Sequence, residues 1–262
     1  GYDDILSGDD QVNTLKGGTG DDILDGREGN DLLDGGAGDD TLIGGEGDDT
    51  LVGGAGQDTA DYSNAAGGVT VDLGGGTANG AGGNDTLGGV ENVVGSDYDD
   101  ILSGAADSNT ISGGAGDDTI DGGAGNDVLT GGTGSDTFVF NQNSDQDNIT
   151  DFDASEDKID LSGFGVPNWE ALQKMIGTDA GGNAVITIND QTLTLEGVSP
   201  DELTIGNFVD LETLGATEGD DVITGSGFDE IIDGLGGNDT ISGGAGKDTV
   251  FGGAADVSGG GI

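Results

Sequence analysis

The sequence predicts an all-β fold in which short strands wind into a parallel β-roll, a form of β-helix solenoid. A nine-residue unit recurs without gaps over residues 17–61, and it recurs again after residue 94 and after residue 215. Each unit carries several glycines and one large aliphatic residue at a fixed place. Repetition at a fixed period is typical of repeat architectures, in which each unit is stabilised mainly by its neighbours.

Each unit reads G-G-x-G-x-D-x-U-x, where U is the aliphatic residue. Glycine permits a positive φ angle, so the first positions favour a tight turn. The last three residues form a short strand with the U side chain facing inward. Two units, or 18 residues, then close one coil. This predicts one stack of Leu6, Leu24, Leu42 and Ala60, and an opposite stack of Leu15, Leu33 and Leu51.

The repeats divide the chain into five regions. We predict a first β-roll over residues 1–61, a linking β segment over 62–94, a second β-roll over 95–139, a capping module over 140–214 and a third, truncated β-roll over 215–262. In the second roll the inward residues are Leu102, Ile111, Ile120, Leu129 and Phe138.

The capping module differs because it is rich in aromatic residues and can bury a conventional core. Alternating residues in TFVFN, DNITDF, DKIDLS, NAVITIN and QTLTLEGV predict antiparallel strands, with a hairpin turn at Asn189-Asp190. Trp169, Leu172 and Ile176 fall on one face of a short helix, and Ser199-Pro200 is a second helix start.

Composition excludes several classes of function. The chain has 53 acidic and 5 basic residues and a formal net charge of −48, so nucleic acid and anionic membranes are poor partners. It has no Cys and no His, which removes thiolate metal sites, His-based triads and the commonest general base. No apolar run is long enough for a transmembrane helix. We therefore predict that this segment is not an enzyme, and we interpret it as part of a longer chain without a secretory signal peptide at its start.

The aspartates of the repeats are expected to stack at the turns. Carboxylates on adjacent coils would lie about 4.8 Å apart and would repel each other. A hard divalent cation reverses this repulsion, and Ca²⁺ accepts carboxylate and carbonyl oxygens in flexible geometry, so we predict several bound Ca²⁺ ions. The predicted carboxylate ligands are Asp4, Asp22, Asp31, Asp40, Asp49, Asp58, Asp100, Asp118, Asp127, Asp136, Asp221, Asp239 and Asp248.

The repeat register resembles the RTX (repeats-in-toxin) family of exported bacterial proteins, whose nonapeptides form calcium-loaded β-rolls. The resemblance implies that carbonyl oxygens of both neighbouring turns share each ion with the aspartates. Here these would be Gly18, Gly20, Gly35, Gly36, Ala37, Gly38, Gly53, Ala55, Gly114, Gly116, Gly131 and Thr133. Asn13, Asn109 and Glu230 occupy the aspartate position with weaker ligands, and Arg27 replaces a glycine, so we expect weak sites there.

The resemblance also implies a function. We expect a calcium-binding region of a secreted bacterial protein, extracellular or at the cell surface, that folds after type I export and stabilises its parent protein. The capping module resembles the one that closes RTX regions of type I secreted proteins, including the serralysin proteases. The alternative is a polysaccharide- or surface-binding module of an adhesin or an alginate epimerase, in which Tyr62, Tyr98, Thr41 and Thr59 could contact a glycan.

Overall fold

The computed structural model describes residues 1–166, 168–209, 222–224, 231–233, 237–242 and 249–251. Within these ranges the chain is almost entirely β-structure, and short strands alternate with glycine-rich turns. The strands of the first half are β1 Ile5–Ser7, β2 Thr14–Thr19, β3 Ile23–Glu28, β4 Leu32–Ala37, β5 Thr41–Glu46, β6 Thr50–Ala55, β7 Thr59–Asp61, β8 Val69–Asp72, β9 Thr77–Gly80, β10 Gly83–Gly88, β11 Asn92–Val94, β12 Ile101–Ser103 and β13 Thr110–Ala115.

The second half continues this pattern. Its strands are β14 Thr119–Asp121, β15 Val128–Thr133, β16 Thr137–Val139, β17 Gln146–Ile149, β18 Lys158–Asp160, β19 Ile176–Thr178, β20 Ala184–Ile188, β21 Gln191–Leu195, β22 Phe208–Val209, β23 Val222–Thr224, β24 Ile231–Asp233, β25 Thr240–Ser242 and β26 Thr249–Phe251. One short α-helix, α1, covers Trp169–Gln173. Three 3-10 turns cover Ser162–Phe164, Pro200–Glu202 and Ile205–Asn207.

Two 11-stranded sheets form the roll. Sheet A has the order β1-β3-β5-β7-β11-β13-β15-β17-β21-β20-β19, and sheet B has the order β2-β4-β6-β10-β9-β8-β12-β14-β16-β18-β22. Successive strands of the repeat therefore alternate between the sheets, and each pairs in parallel with the strand one coil away. Leu24 is paired with Leu42, and Leu33 with Leu51, which is the predicted 18-residue register.

Several repeat strands are six residues long rather than the predicted three. In β4, for example, the pairing with β6 continues beyond the inward Leu33 to Gly36 and Ala37, which face Gly54 and Ala55. The turns stack as regularly as the strands, so their backbone groups also find partners on the next coil.

The core consists of two facing stacks of side chains between the sheets. From the second coil onward, each repeat strand of the first two arrays contributes one buried apolar side chain, which confirms the predicted stacks. The buried members include Leu24, Leu33, Leu42, Leu51, Ala60, Leu102, Ile111, Ile120, Leu129 and Phe138. At the first coil Leu6 and Leu15 are only partly buried, because β1 and β2 are the edge strands of their sheets.

Residues 62–94 do not interrupt the roll. Strand β7 pairs in parallel with β11, so sheet A passes directly from Ala60 to Val93. Sheet B instead incorporates an antiparallel meander, in which β10 pairs with β9, β9 with β8, and β8 in parallel with β12. The predicted domain boundaries stay predictions, and both sheets run across residues 61, 94 and 139.

The strand direction in the aromatic-rich region corrects our prediction. Strands β16, β17 and β18 pair in parallel with the repeat coils, whereas we expected antiparallel pairing there. Within the described part of this region, β19–β21 form an antiparallel meander, with the expected turn between Ile188 and Gln191. Alternation of side chains reports which face is buried but not strand direction, and β16, β17 and β18 run parallel because the chain passes to the opposite sheet between them.

The helical predictions are met only partly. Asn168 caps α1, its side chain accepting a hydrogen bond from the Ala171 amide at 2.9 Å. The helix ends before Ile176, which lies in β19. The predicted helix at Pro200 is a single 3-10 turn with a Ser199–Glu202 capping box. In the part of the chain that the structure describes, no helix is long and apolar enough to cross a membrane.

The third array is described only in part. Val222 pairs with Thr240, and Ile231 with Thr249, so the 18-residue parallel register recurs there. Of its predicted metal ligands Asp239 is described, whereas Asp221, Glu230 and Asp248 lie outside the described residues.

Candidate metal centres in the turns

Acidic residues, together with two asparagines, form two rows along the edges of the roll. Each lies just before an inward-facing strand residue, so its row follows the stacking of the sheets. We define the first edge as Asp4, Asp22, Asp40, Asp58, Glu91, Asn109, Asp127 and Asp147. We define the second edge as Asn13, Asp31, Asp49 and Asp85, followed beyond strands β9 and β8 by Asp100, Asp118, Asp136 and Asp157.

In the regular turns, one oxygen of the carboxylate accepts a hydrogen bond from the preceding coil. The Asp22 amide donates to Asp40 Oδ1 at 2.8 Å, and the Asp40 amide donates to Asp58 Oδ1 at 2.8 Å. On the second edge the Asp31 amide donates to Asp49 Oδ1 at 2.8 Å. Each aspartate therefore connects two coils and fixes the orientation of its own carboxylate.

The other oxygen is buried without a protein partner. Among the described residues, Oδ2 is inaccessible to solvent and makes no hydrogen bond in Asp22, Asp31, Asp40, Asp49, Asp58, Asp118 and Asp127. A buried carboxylate oxygen without a partner carries a large desolvation cost. The same defect repeats at equivalent atoms of successive coils, which indicates a bound cation rather than an isolated packing fault.

The first glycine of a unit lies against these oxygens and against a carbonyl of the next coil. A Cβ atom built on Gly26 would lie 2.5 Å from Asp31 Oδ2 and 2.6 Å from the carbonyl oxygen of Gly44 on the next coil, so a side chain does not fit there. Glycine at this position therefore lets a carboxylate oxygen and a carbonyl oxygen of two coils approach each other, and Ca²⁺ accepts both kinds of ligand.

The glycines at the second and fourth positions bring further carbonyl oxygens to the turn. Gly36 and Gly38 have φ angles of 112° and 133°, which only glycine adopts readily. Side chains at these two positions would collide with the carbonyls of Gly18 and Gly20 on the preceding coil. The turn therefore presents a dense set of carbonyl oxygens, which is the kind of ligand that Ca²⁺ accepts.

Burial and mutual repulsion raise the pKa values of the stacked carboxylates. Desolvation, followed by the neighbouring charges of Asp100 and Asp136, raises the pKa of Asp118 to about 7. Burial likewise raises the pKa values of Asp49, Asp58, Asp127 and Asp136 to about 6. The ionised form of these carboxylates is therefore disfavoured in the turns unless a cation lies nearby.

Two carboxylates per turn would have to be supplemented by the backbone. Among the described residues, no three His, Cys, Asp or Glu side chains converge on one point that could hold a metal ion. A cation here would therefore take most of its ligands from carbonyl oxygens. This donor set suits Ca²⁺ and is poorly suited to zinc or copper, which prefer nitrogen and sulfur ligands.

The irregular positions differ from the regular turns in identifiable ways. Asp4 is exposed and Asn13 half-buried, so the first coil encloses its turns incompletely. The Asn109 side chain donates to the Glu91 carbonyl at 2.6 Å. Both oxygens of Asp100 accept hydrogen bonds, since Ser96 contributes its amide and its hydroxyl. Arg27 has a φ angle of 78° at a position where the repeat has glycine.

Sequence reasoning missed four members of the two edges. Asp85, Glu91, Asp147 and Asp157 each bind the amide of an acidic residue on the preceding coil, at 2.9–3.0 Å. They lie outside complete nonapeptides, so the repeat pattern did not include them as ligands. Their signal is shorter: an acidic residue stands two positions before an inward apolar residue, as in Glu91 and Val93.

Comparison with protein families identifies the repeats. The model of the RTX calcium-binding nonapeptide repeat, four copies long, matches residues 1–33, 25–60, 87–120, 94–129, 103–138, 112–146 and 224–256, which together are more than half of the chain. The chain belongs to this RTX family. Its nonapeptides are therefore calcium-binding repeats. The family is a repeat rather than a catalytic domain, which confirms the prediction that this segment is not itself an enzyme.

Solved structures are also similar to parts of the chain. The extracellular lipase LipA of Serratia marcescens is 21% identical over 80% of this chain, with a TM-score of 0.32, and this chain spans only 40% of it. One subunit of the mannuronan C5-epimerase of Azotobacter vinelandii is 31% identical over 46% of this chain and 88% of its own length, with a TM-score of 0.33. Another is 30% identical over 44% of this chain and 90% of its own, with a TM-score of 0.34. No curated protein sequence matches the chain.

The residues suggested for glycan contact have other roles or surroundings. The Tyr62 hydroxyl donates to Asp85 Oδ2 at 3.0 Å, and its ring packs against the core, so it is not free to stack on a sugar. Tyr98 is 50% exposed. Thr41 and Thr59 pair on the outer face of sheet A, but Ile23 precedes them in the same row.

Proposed function

We propose that this chain is a calcium-triggered folding region of a secreted protein. The observation that carries the proposal is the row of buried Oδ2 atoms without partners, several of which lie near a carbonyl oxygen of the next coil. In the metal-free chain, two carboxylates at the spacing of adjacent strands repel each other by about 3 kcal/mol at an effective dielectric of 20. Summed over a dozen or so turns, this repulsion opposes compaction of a chain whose net charge is −48.

Each ion would lie between two coils on one edge. In the regular turns, Asp22 with the carbonyls of Gly18 and Gly20 would share an ion with Asp40. The carbonyls of Gly35 and Ala37 would complete that site. The same assignment applies to Asp40 with Asp58, Asp31 with Asp49, and Asp118 with Asp136. Because an unfolded chain has no such site, binding free energy becomes folding free energy.

The coupling of folding to calcium binding would allow the chain to be exported in an unfolded form. Extracellular calcium modules bind with dissociation constants of about 10⁻⁴–10⁻³ M, above the calcium concentration of a cytosol. The chain would stay extended where calcium is scarce and would compact once it reaches the medium. This region would then stabilise a parent enzyme or adhesin by folding only after export.

The test is a calcium titration followed by far-UV circular dichroism. We expect coil in chelator, a cooperative strand signal at about millimolar Ca²⁺, and a much weaker response to Mg²⁺. Asp40→Asn should raise the calcium midpoint several-fold. Asp39→Asn is the matched control, because Asp39 is exposed and also accepts a backbone hydrogen bond, from Gln57 at 2.8 Å. Equal strand content in chelator and in calcium would refute the proposal.

A further inference from the structure

We infer that Asp58, Gly89 and Glu91 form an additional calcium site that joins the first array to the second across the linking segment. The inference rests on the proposed function and extends it to residues that no nonapeptide contains. Sequence separation along the first edge is 18 residues within the arrays, whereas Asp58 and Glu91 are 33 residues apart.

Glu91 takes the place of the next aspartate on the first edge. Its Oε2 accepts a hydrogen bond from the Asp58 amide at 3.0 Å, as Asp58 Oδ1 accepts one from Asp40 at 2.8 Å. The longer glutamate side chain therefore reaches the position that an aspartate occupies in a regular turn. A carboxylate oxygen is placed there although the repeat pattern is absent.

Gly89 takes the place of the first glycine of the next unit. A Cβ atom built on Gly53 would lie 2.6 Å from Asp58 Oδ2, and the carbonyl of Gly89 would be closer still. In the regular turn of Gly26, the corresponding neighbours are Asp31 Oδ2 and the Gly44 carbonyl. Gly89 O already accepts the Gly54 amide at 3.2 Å, which leaves its second lone pair for a cation.

Asp58 supplies the observation that requires a ligand here. Its side chain is fully buried, and its Oδ2 has no hydrogen-bond partner in the part of the chain that the structure describes. This oxygen and the Gly89 carbonyl both lie against Gly53, and the Asp58 amide binds the Glu91 carboxylate, so an uncompensated charge would be enclosed at the junction. A Ca²⁺ ion bound to these three residues would remove that cost.

The other contacts of the linking segment are satisfied by the protein itself. On the second edge, the Tyr62 hydroxyl donates to Asp85 Oδ2. One coil beyond Glu91, the Asn109 amide group donates to the Glu91 carbonyl. The contact between Asp58 and Glu91 is thus where this segment depends on a metal. An ion bound there would join the two ends of a loop of some thirty residues.

The test compares Glu91→Gln with the wild-type chain and with Glu46→Gln, which changes an exposed glutamate of the first array. We expect Glu91→Gln to bind one Ca²⁺ fewer per chain by equilibrium dialysis. In hydrogen exchange, the Val93 amide should need about tenfold more calcium for protection, whereas the Leu24 amide should be unaffected. Glu46→Gln should match the wild type in both measurements.

The Glu91→Asp variant distinguishes the effect of the carboxylate charge from the effect of side-chain length. If Glu91 binds calcium, the aspartate variant keeps the charge but is one methylene shorter, so it binds the ion more weakly than the wild type and more tightly than the glutamine variant. If Glu91→Gln binds as many ions as the wild type, or if Glu91→Asp binds calcium more weakly than Glu91→Gln, the inference is wrong. A wild-type chain whose strand signal ignores calcium would instead refute the proposed function itself.

Discussion

The nonapeptide coils and the coils at residues 137–209 belong to the same two sheets but are stabilised differently. A nonapeptide coil buries one aliphatic side chain per strand and encloses carboxylate oxygens that no protein group satisfies. The later coils pack aromatic rings, such as Phe140 against Phe164 with 5.1 Å between centroids, and end in an antiparallel meander. The same parallel pairing can therefore depend on an external cation or on an ordinary core, according to what fills the coil.

The largest effect should come from replacing calcium with protons. Burial raises the pKa values of Asp49, Asp58 and Asp136 to about 6 and that of Asp118 to about 7, from an ordinary value of 3.8. A raised carboxylate pKa means that the folded state binds protons more tightly than the unfolded state. This contribution to stability is complete below pH 3.8 and is lost as pH rises through 6 to 7.

We therefore expect the calcium-free chain to gain strand signal in circular dichroism as pH is lowered from about 8 to about 4.5. Low protein concentration limits association near the pI of 4.1. In saturating calcium the same change should weaken binding, because protons compete for the carboxylates. A calcium-free chain with a flat pH profile would mean that these carboxylates do not control folding.

The second effect concerns the aromatic coils. Phe140→Ala removes a ring that is 1% exposed and should lower the free energy of unfolding in calcium by about 3–5 kcal/mol. Urea denaturation measures this loss, and the number of bound Ca²⁺ ions should stay unchanged. Tyr98→Ala, at a ring that is 50% exposed, is the control and should have little effect. A change in calcium stoichiometry in Phe140→Ala would contradict the separation of the two regions.

The smallest effect is the difference in stability loss between alanine substitutions at two glycines that occupy the same position of the repeat. Gly18 and Gly36 have φ angles of 105° and 112°, so alanine at either costs about 1–3 kcal/mol in backbone strain. A Cβ on Gly18 meets nothing within 4 Å, whereas one on Gly36 collides with the Gly18 carbonyl. Gly36→Ala should therefore lose about 1–3 kcal/mol more than Gly18→Ala in urea denaturation with calcium. Equal losses would mean that the stacked turns move apart without cost.

Most of the repeat architecture could be predicted because the residue types at fixed positions of each unit determine its turn and its strand. Asp22 and Leu24 have fixed places in the nonapeptide, so their stacking on Asp40 and Leu42 follows from the period alone. Glu91 and Asp157 could not be assigned in this way. Irregular segments separate these two residues from their neighbours along the edge. The sequence does not show how far such a segment extends between its two ends.

The direction of β16, β17 and β18 was also beyond sequence reasoning. Alternation of polar and apolar residues at Phe138 or Ile159 is the same in parallel and antiparallel strands. What selects the direction is the connection between strands. Strands β16, β17 and β18 follow one another on alternate sheets, as in the repeat coils, and therefore pair in parallel, whereas β20 and β21 are joined by a two-residue turn within one sheet and pair antiparallel.

The sequence by itself determined the period, the inward residues and the accumulation of carboxylates at the turns, because these are local properties of a nine-residue unit. Only the tertiary structure decided which carboxylate oxygens are left without partners and which are satisfied by groups such as the Tyr62 hydroxyl. It also decided that the linking segment continues both sheets and brings Glu91 next to Asp58. These contacts join residues that are distant in the chain, and distances of that kind arise only when the coils stack.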